Sequence, residues 1–319
     1  MTIESAMYGV ILALLPGIAV GVYYFGPNAL RVLFLSVLGC LFFEGLALKM
    51  RGRDLSPLKD GSALLTGILL AMNVPSILPS WMVIVGAAIA IGLGKQVYGG
   101  LGYNPFNPAL VARIFLLISY PVAMTSWPEP KPFSFYLDAV TKATPLGDMK
   151  TTVMMTGKIS DAASASMGIM KPFVGNVGGS LGEISAIALL LGGIYLLVKK
   201  IITWHIPVSF LATVFVITGI FWLINPERYA DPVFHMVAGG LMLGAWFMAT
   251  DYVTSPVTAK GMIIFGVGCG LITAFIRLFG GYPEGVAFAI LLMNGATPII
   301  DQYTRPRVFG TVNRKESKS

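Results

Sequence analysis

The sequence predicts an all-α membrane protein of ten transmembrane helices, arranged as two inverted five-helix repeats with broken helices. Three observations carry that expectation: a composition too apolar for a water-facing surface, ten separable apolar runs, and a likeness between the two halves of the chain. Of 319 residues, 55% are hydrophobic and 12% charged, with a mean hydropathy of +0.78. Soluble domains carry about a quarter charged residues, so half that share could not clothe a surface in water, and a soluble enzyme is excluded. At about 20 residues per span, ten spans fill most of the chain and leave the rest for loops and tails. Cys40 and Cys269 both lie inside apolar runs, which supports neither a disulfide framework nor a thiolate metal site.

The apolar runs fall at 6–25, 29–48, 61–74, 77–97, 106–124, 182–198, 205–224, 233–250, 257–279 and 283–300. The first follows Glu4 rather than a basic cluster and shows no small-residue cleavage site, so it is read as a retained span and not a signal peptide. Lys and Arg in short connections set orientation because they resist translocation. With the N-terminus in the cytoplasm, Lys49, Arg51, Arg53, Lys59, Lys95, Lys199, Lys200, Lys260 and the tail from Arg305 fall inside, while the short outer connections hold only Arg31, Arg228 and Arg277. Both termini are therefore expected in the cytoplasm. The same asymmetry accounts for most of the +7 charge, so no nucleic-acid partner is needed to explain it. The expected organisation is a first repeat over 1–124, an extracytoplasmic loop over 125–181, a second repeat over 182–304 and a basic cytoplasmic tail over 305–319.

The halves resemble each other at an offset of about 177 residues, the separation of Pro79 and Pro256. Leu70-Ala-Met-Asn-Val-Pro75-Ser-Ile-Leu-Pro79 in the first half matches Phe247-Met-Ala-Thr-Asp251-Tyr-Val-Thr-Ser-Pro256 in the second. Gly99-Gly-Leu-Gly-Tyr103-Asn-Pro105 is echoed by Gly280-Gly-Tyr282-Pro283-Glu284-Gly285. Five spans per half turn the second copy upside down. Such Pro- or Gly-interrupted segments free amides and carbonyls that lipid cannot satisfy, so they must line a site or be buried in protein.

Ionisable residues in or beside the spans are few, and Glu44, Arg113, Asp251 and Glu284 are singled out among them. Each costs about 2.5–3.5 kcal/mol on insertion scales, which makes each a functional candidate. Asp251, with Thr250, Thr254 and Ser255 beside it, suits a hard cation such as Na⁺ or a proton relay, and Glu284 is a second candidate for ion coupling. Glu44 and Arg113 could equally pair with neighbours. His205 and His235 fall near predicted span ends, where interfacial histidines are common, and receive no role.

The long outer loop contains Asp138-Ala-Val-Thr141-Lys142-Ala143-Thr144-Pro145-Leu146. Asp-x-x-Ser/Thr-x-Ala-Thr is similar to the acceptor motif of ApbE-type flavin transferases, which join FMN through its phosphate to the hydroxyl of the last Thr. The resemblance implies covalent FMN at Thr144, with Asp138, Thr141 and Ala143 completing the attachment motif; Lys142 stands where Gly is usual. Asn294-Gly-Ala-Thr297-Pro reads like the motif's end, but Leu291 occupies the position of its Asp, and Thr297 falls at a cytoplasmic helix end.

Gly94-Lys-Gln-Val-Tyr-Gly-Gly100, Asn104-Pro-Phe-Asn107-Pro108, Ala249-Thr-Asp251, Tyr282-Pro283-Glu284-Gly285 and Asp301 extend the likeness over most of the chain. The sequence resembles the RnfD/NqrB family of membrane subunits of redox-driven ion pumps. It is nearer RnfD, lacking the longer cytoplasmic N-terminal extension of NqrB. The resemblance implies a fold like that of urea and ammonium transporters, a location in the bacterial cytoplasmic membrane, covalent FMN, and a non-covalent riboflavin whose site would include Asn104 and Asn107. An Asn-Pro pair can also simply start a helix. The resemblance further implies electron transfer between ferredoxin and NAD⁺ coupled to Na⁺ or H⁺ movement, in company with Rnf-type subunits A, B, C, E and G. No complete active site is expected on this chain, because it has neither a dinucleotide fingerprint nor a cysteine cluster. The competing expectation from the broken repeat alone is a secondary transporter or channel for a small polar solute.

Overall fold

Small residues at nearly every fourth position decide how the first helix packs. In the computed structural model, which describes residues 2–130, 141–142, 144–157, 178–282 and 284–306, helix α1 (Ile3–Met50) buries Ala6, Gly9, Ala13, Gly17 and Gly21, then Ala29, Val32, Ser36, Cys40 and Glu44. That spacing aligns them in one stripe, and their size lets neighbouring backbones approach closely. A straight 48-residue helix would run about 72 Å, more than twice the roughly 30 Å of a hydrocarbon core. The chain resolves this at Gly26, whose φ of 56° and ψ of −138° interrupt the helix just before Pro27. The expected first two spans are the two arms of this element.

Helix α2 (Ser62–Met72) is short, and α3 (Ser80–Ile91) continues through a π-turn at Gly92–Gln96 before a glycine-rich stretch leads into α4 (Pro108–Ser119). In the second half, α7 (Ala186–Val198) and α8 (His205–Ile224) precede the short α9 (Pro232–Val237) and α10 (Leu241–Leu243), the latter extended by a π-turn at Gly244–Met248. Helices α11 (Ala259–Phe279) and α12 (Val286–Thr304) complete it. The chain is predominantly helical, and α1, α8 and α11 are each long and apolar enough to cross a membrane. Both expected breaks are present: the backbone leaves the helix after Met72 until Ser80, and after Met248 until Ala259.

Helix α1 packs against α2, α3 and α7; α8 packs along α11; α12 meets α4. The loop after α4 carries structure of its own: α5 (Pro121–Thr125), two short antiparallel strands, β1 (Trp127–Pro128) and β2 (Thr141–Lys142), and α6 (Pro145–Thr156). A small apolar cluster of Leu146, Met149, Ala230, Phe234 and Ala238 seats α6 on α9.

Two glycines show how close the packing is. A Cβ at Gly67 would stand 2.7 Å from Cα of Val37, where the Ser36 hydroxyl also donates to the Gly67 carbonyl at 2.8 Å. A Cβ at Gly192 would overlap the Ala13 carbonyl and come within 2.9 Å of Cζ of Phe247. Overpacking of this kind costs about 1–3 kcal/mol, so Gly192→Val should lower the thermal unfolding midpoint of the detergent-solubilised protein, while Gly281→Ala, where a Cβ meets open space, should leave it unchanged.

Candidate functional site

Thr144 takes the N-cap position of α6 because its hydroxyl can accept from a free first-turn amide. Its Oγ1 accepts from Gly147 N at 3.1 Å, and Pro145 follows at the first helical position. Thr144 is 6% exposed and borders a cavity of about 250 Å³ whose walls include Trp127, Tyr282, Lys150, Arg113 and Glu284. Lys150 Nζ donates to the carbonyls of Ile276 (3.0 Å) and Tyr282 (2.7 Å), pinning α6 to the end of α11. Burial pulls the Lys150 ammonium below its usual pKa. Of the remaining motif residues, Thr141 lies on β2, while Asp138 and Ala143 fall outside the described residues.

The polar edge of this cavity is a charged cluster drawn from separate elements. Arg113 donates to Glu284 Oε2 at 2.5 Å, to Asn73 Oδ1 at 2.6 Å and to Glu183 Oε1 at 3.4 Å. Both carboxylates also form ion pairs with it by distance. Arg277 caps the second-half helices by donating to the carbonyls of His235 and Ala238. Arg31 does the same at the first break, donating to the carbonyls of Ser76 (3.2 Å) and Leu78 (2.9 Å). His235, expected near an interface, is fully buried, because α9 is too short to carry it out of the bundle.

A second cavity, of about 70 Å³, brings together Asn104, Asn107 and Asp251, with Lys95, Thr66 and Phe247 also in its wall. A larger space of about 420 Å³ shares Ala6, Met7, Leu101, Tyr252 and Val253 with it. Asn107 caps α4 through Oδ1, accepting from Ala109 N (3.1 Å) and Leu110 N (3.4 Å), and its Nδ2 donates to the Met248 carbonyl at 3.4 Å. The helix-starting role is therefore real for Asn107. Asn104 differs: its Nδ2 donates to the Phe106 carbonyl, but its buried Oδ1 has no partner among the described residues. Among the described residues, Asp251 accepts long bonds alone, from Val253 N (3.3 Å) and Thr254 Oγ1 (3.4 Å), which leaves lone pairs available. Beside it, buried Lys95 donates to Glu44 Oε1 (2.9 Å) and Ser62 Oγ (2.7 Å). Thr297, the false motif end, is buried and donates to the Thr254 carbonyl at 3.0 Å.

Helix α4 joins the two cavities. Pro108 and Ala109 border one, and Arg113 and Leu117 border the other, so Ala109 and Arg113 stand about 6 Å apart along the axis at 1.5 Å per residue. Between them lie Asn73, whose Nδ2 contacts Met248 Sδ at 3.5 Å, and the Asn107–Met248 bond.

Residues 1–310 match the NQR2, RnfD, RnfE family. The chain belongs to this family. It is 46% identical over 97% of its length to the D subunit of the proton-translocating ferredoxin:NAD(+) oxidoreductase complex of Clostridium ljungdahlii, covering 92% of that protein. It is also 46% identical over 99% of its length to the D subunit of the Na(+)-translocating ferredoxin:NAD(+) oxidoreductase complex of Acetobacterium woodii, covering 93% of it. A third relative, the D subunit of the ion-translocating oxidoreductase complex of Stutzerimonas stutzeri, is 41% identical over 97% of this chain and 92% of its own.

Two charged residues of this NQR2, RnfD, RnfE family member escape sequence reasoning. Glu183 stands at the start of the apolar run 182–198, as Glu284 does at the start of 283–300, but is passed over in the sequence reading. Lys95 counts there only as a topological charge, although its position inside the run 77–97 marks it for burial. Removing one partner of a buried ion pair costs about 3–5 kcal/mol. Lys95→Met should therefore destabilise the protein by about that much, and Lys95→Met with Glu44→Leu should recover most of the loss, as read from thermal unfolding in a double-mutant cycle.

Proposed function

We propose that this chain is the D subunit of an ion-translocating, Rnf-type ferredoxin:NAD⁺ oxidoreductase complex, carrying electrons through the bacterial cytoplasmic membrane between two flavins. The observation that carries the reading is the seat of Thr144: a hydroxyl at a helix N-terminus, on the wall of a cavity bounded by Trp127, Tyr282, Lys150 and Arg113. Helix N-termini attract phosphate through free amides and the helix dipole, aromatic walls suit a planar ring, and the two cations favour electron-rich groups. These residues fit FMN joined to Thr144 by an ApbE-type transferase. The group would supply redox chemistry that no side chain here has; the chain's part is to fix its position and tune its surroundings.

In the same reading, ten spans form two inverted repeats with both termini in the cytoplasm, and residues 125–181 face outward. The cavity with Asn104 and Asn107 then lies toward the cytoplasm, and only together with the adjoining space of about 420 Å³ would it have room for a non-covalent riboflavin, toward which the Asn104 Oδ1, unpartnered among the described residues, and the apolar walls would turn. Asp251 would serve the coupling ion from the same cavity, and Glu284 from the outer one. Sister subunits supply iron–sulfur centres and the ferredoxin and NAD⁺ sites. The two relatives at equal identity are named for different ions, H⁺ and Na⁺, so likeness to them does not choose the ion.

The broken helices also favour a second reading, a channel or secondary transporter for a small polar solute. A denaturing gel viewed under ultraviolet light separates them. The proposal expects a fluorescent band that Thr144→Val abolishes, together with an FMN adduct on the peptide holding residues 138–150; a colourless chain made beside an active transferase would favour transport. For ion coupling, Asp251→Asn should alter the Na⁺ or pH dependence of complex turnover with flavin content unchanged, and an unaltered ion response would remove that role.

A further inference from the structure

Arg113 is shared between two carboxylates. It holds Glu284 tightly at 2.5 Å and Glu183 loosely at 3.4 Å, and the two carboxyl groups stand within hydrogen-bond reach of each other. Both acids reach it from outside α4, Glu183 just before α7 and Glu284 just before α12. Among the described residues, the other charged and titratable groups around the cluster are Arg277 on α11, which is committed to the carbonyls of His235 and Ala238; His235 itself on α9; Lys150 on α6, which is committed to the carbonyls of Ile276 and Tyr282; and Tyr282 in the cavity wall. Arg113 and Glu284 border the cavity that holds Thr144. The guanidinium therefore faces both a pair of acids and the place of the proposed flavin, on which this inference rests.

We propose that Glu183 and Glu284 form a proton-binding site whose occupancy is set, through Arg113, by the charge in the outer cavity. Two like charges at one site repel, and one of them takes a proton unless a cation holds both ionised. Were a flavin held at Thr144 to take up two electrons through the complex and one proton, its net charge would fall by one; Arg113 would be drawn toward it, Glu183 and Glu284 would lose part of their counter-charge, and a second proton from water would bind one of the two carboxylates. The sum is two electrons and two protons taken up, and oxidation returns both. Neither Glu183 nor Arg113 is needed as an acid or base on the flavin; each acts through the electrostatics of the cluster.

The test is redox-difference infrared spectroscopy of the flavin-loaded chain, with loading verified by peptide mass. Reduction of the wild type should produce the C=O stretch of a protonated carboxyl group. That band should disappear in Glu183→Gln or Glu284→Gln and shift in frequency in the other variant, and the flavin midpoint potential should lose about half of its pH slope in the variant without the band. A loaded wild type that shows no such band, or a band unchanged in both variants, overturns the inference and leaves the flavin site standing. Absence of the adduct at Thr144 overturns both. Glutamine keeps the size and hydrogen-bonding reach of each acid, and Arg113→Lys, which retains the charge, should retain the band.

Discussion

Backbone groups freed inside an apolar bundle must find partners within it, and much of the structure follows from that need. Each unsatisfied amide or carbonyl in hydrocarbon costs several kcal/mol, yet the helices stop at Met72 and again at Val237 and Met248. Arg31 answers at Ser76 and Leu78, and Arg277 at His235 and Ala238. Gly182 N donates to the Met72 carbonyl, Asn107 Nδ2 to that of Met248, Thr297 to that of Thr254, and Asp301 accepts from Val257 N. Polar side chains that look like isolated costs in a hydropathy trace are largely the partners of these breaks.

The same bonds bring the two cavities near each other. Because both breaks end in the middle of the bundle, the side chains that plug them (Asn73, Asn107 and Met248) also form the partition between the spaces bordered by Arg113 and by Asp251. A partition about one helical turn thick suits a carrier that hands electrons across a membrane. Its hydrogen bonds run from Asn107 through Met248 and Asn73 to Arg113, so a change of charge on one side can be felt on the other without any helix moving.

The extent to which this was legible in the sequence depends on the range of the interaction. Breaks at Pro75 and Pro256 could be read because proline acts on its own neighbours, and Thr144 drew attention because a linear motif surrounds it. Asp251, Asn104 and Asn107 each carried a local reason for attention, but their meeting in one cavity depends on α4 packing beside the second break, which no local pattern encodes. Glu183 was opaque for the same reason. Its partner Arg113 lies 70 residues away in sequence, and only the folded chain shows that the acid faces a guanidinium and not solvent. Arg31 and Arg277 were legible as charges that orient helices, but not as caps, since capping requires knowing where a distant carbonyl is left free. His235 failed in the opposite direction: a residue near the end of an apolar run looks interfacial unless the run itself is broken and folded inward.

The seat of Thr144 also bears on how a cofactor could be installed. At 6% exposure and with its hydroxyl engaged by Gly147 N, Thr144 cannot meet another enzyme while α6 rests on α9. Lifting α6 would expose Leu146 and Met149, at about 1.5–3 kcal/mol for each side chain, and would release the two Lys150 bonds. That sum is small enough for the raised form to be visited thermally, yet large enough to keep the mature protein closed. A transferase that captures the raised form would then leave a phosphate at the α6 N-terminus, and any group that fills the cavity in the closed form alone adds its binding energy to closure. If Thr144 carries the flavin proposed above, the modest apolar contact beneath α6 would reconcile a hydroxyl open to modification with a site closed around the group afterwards.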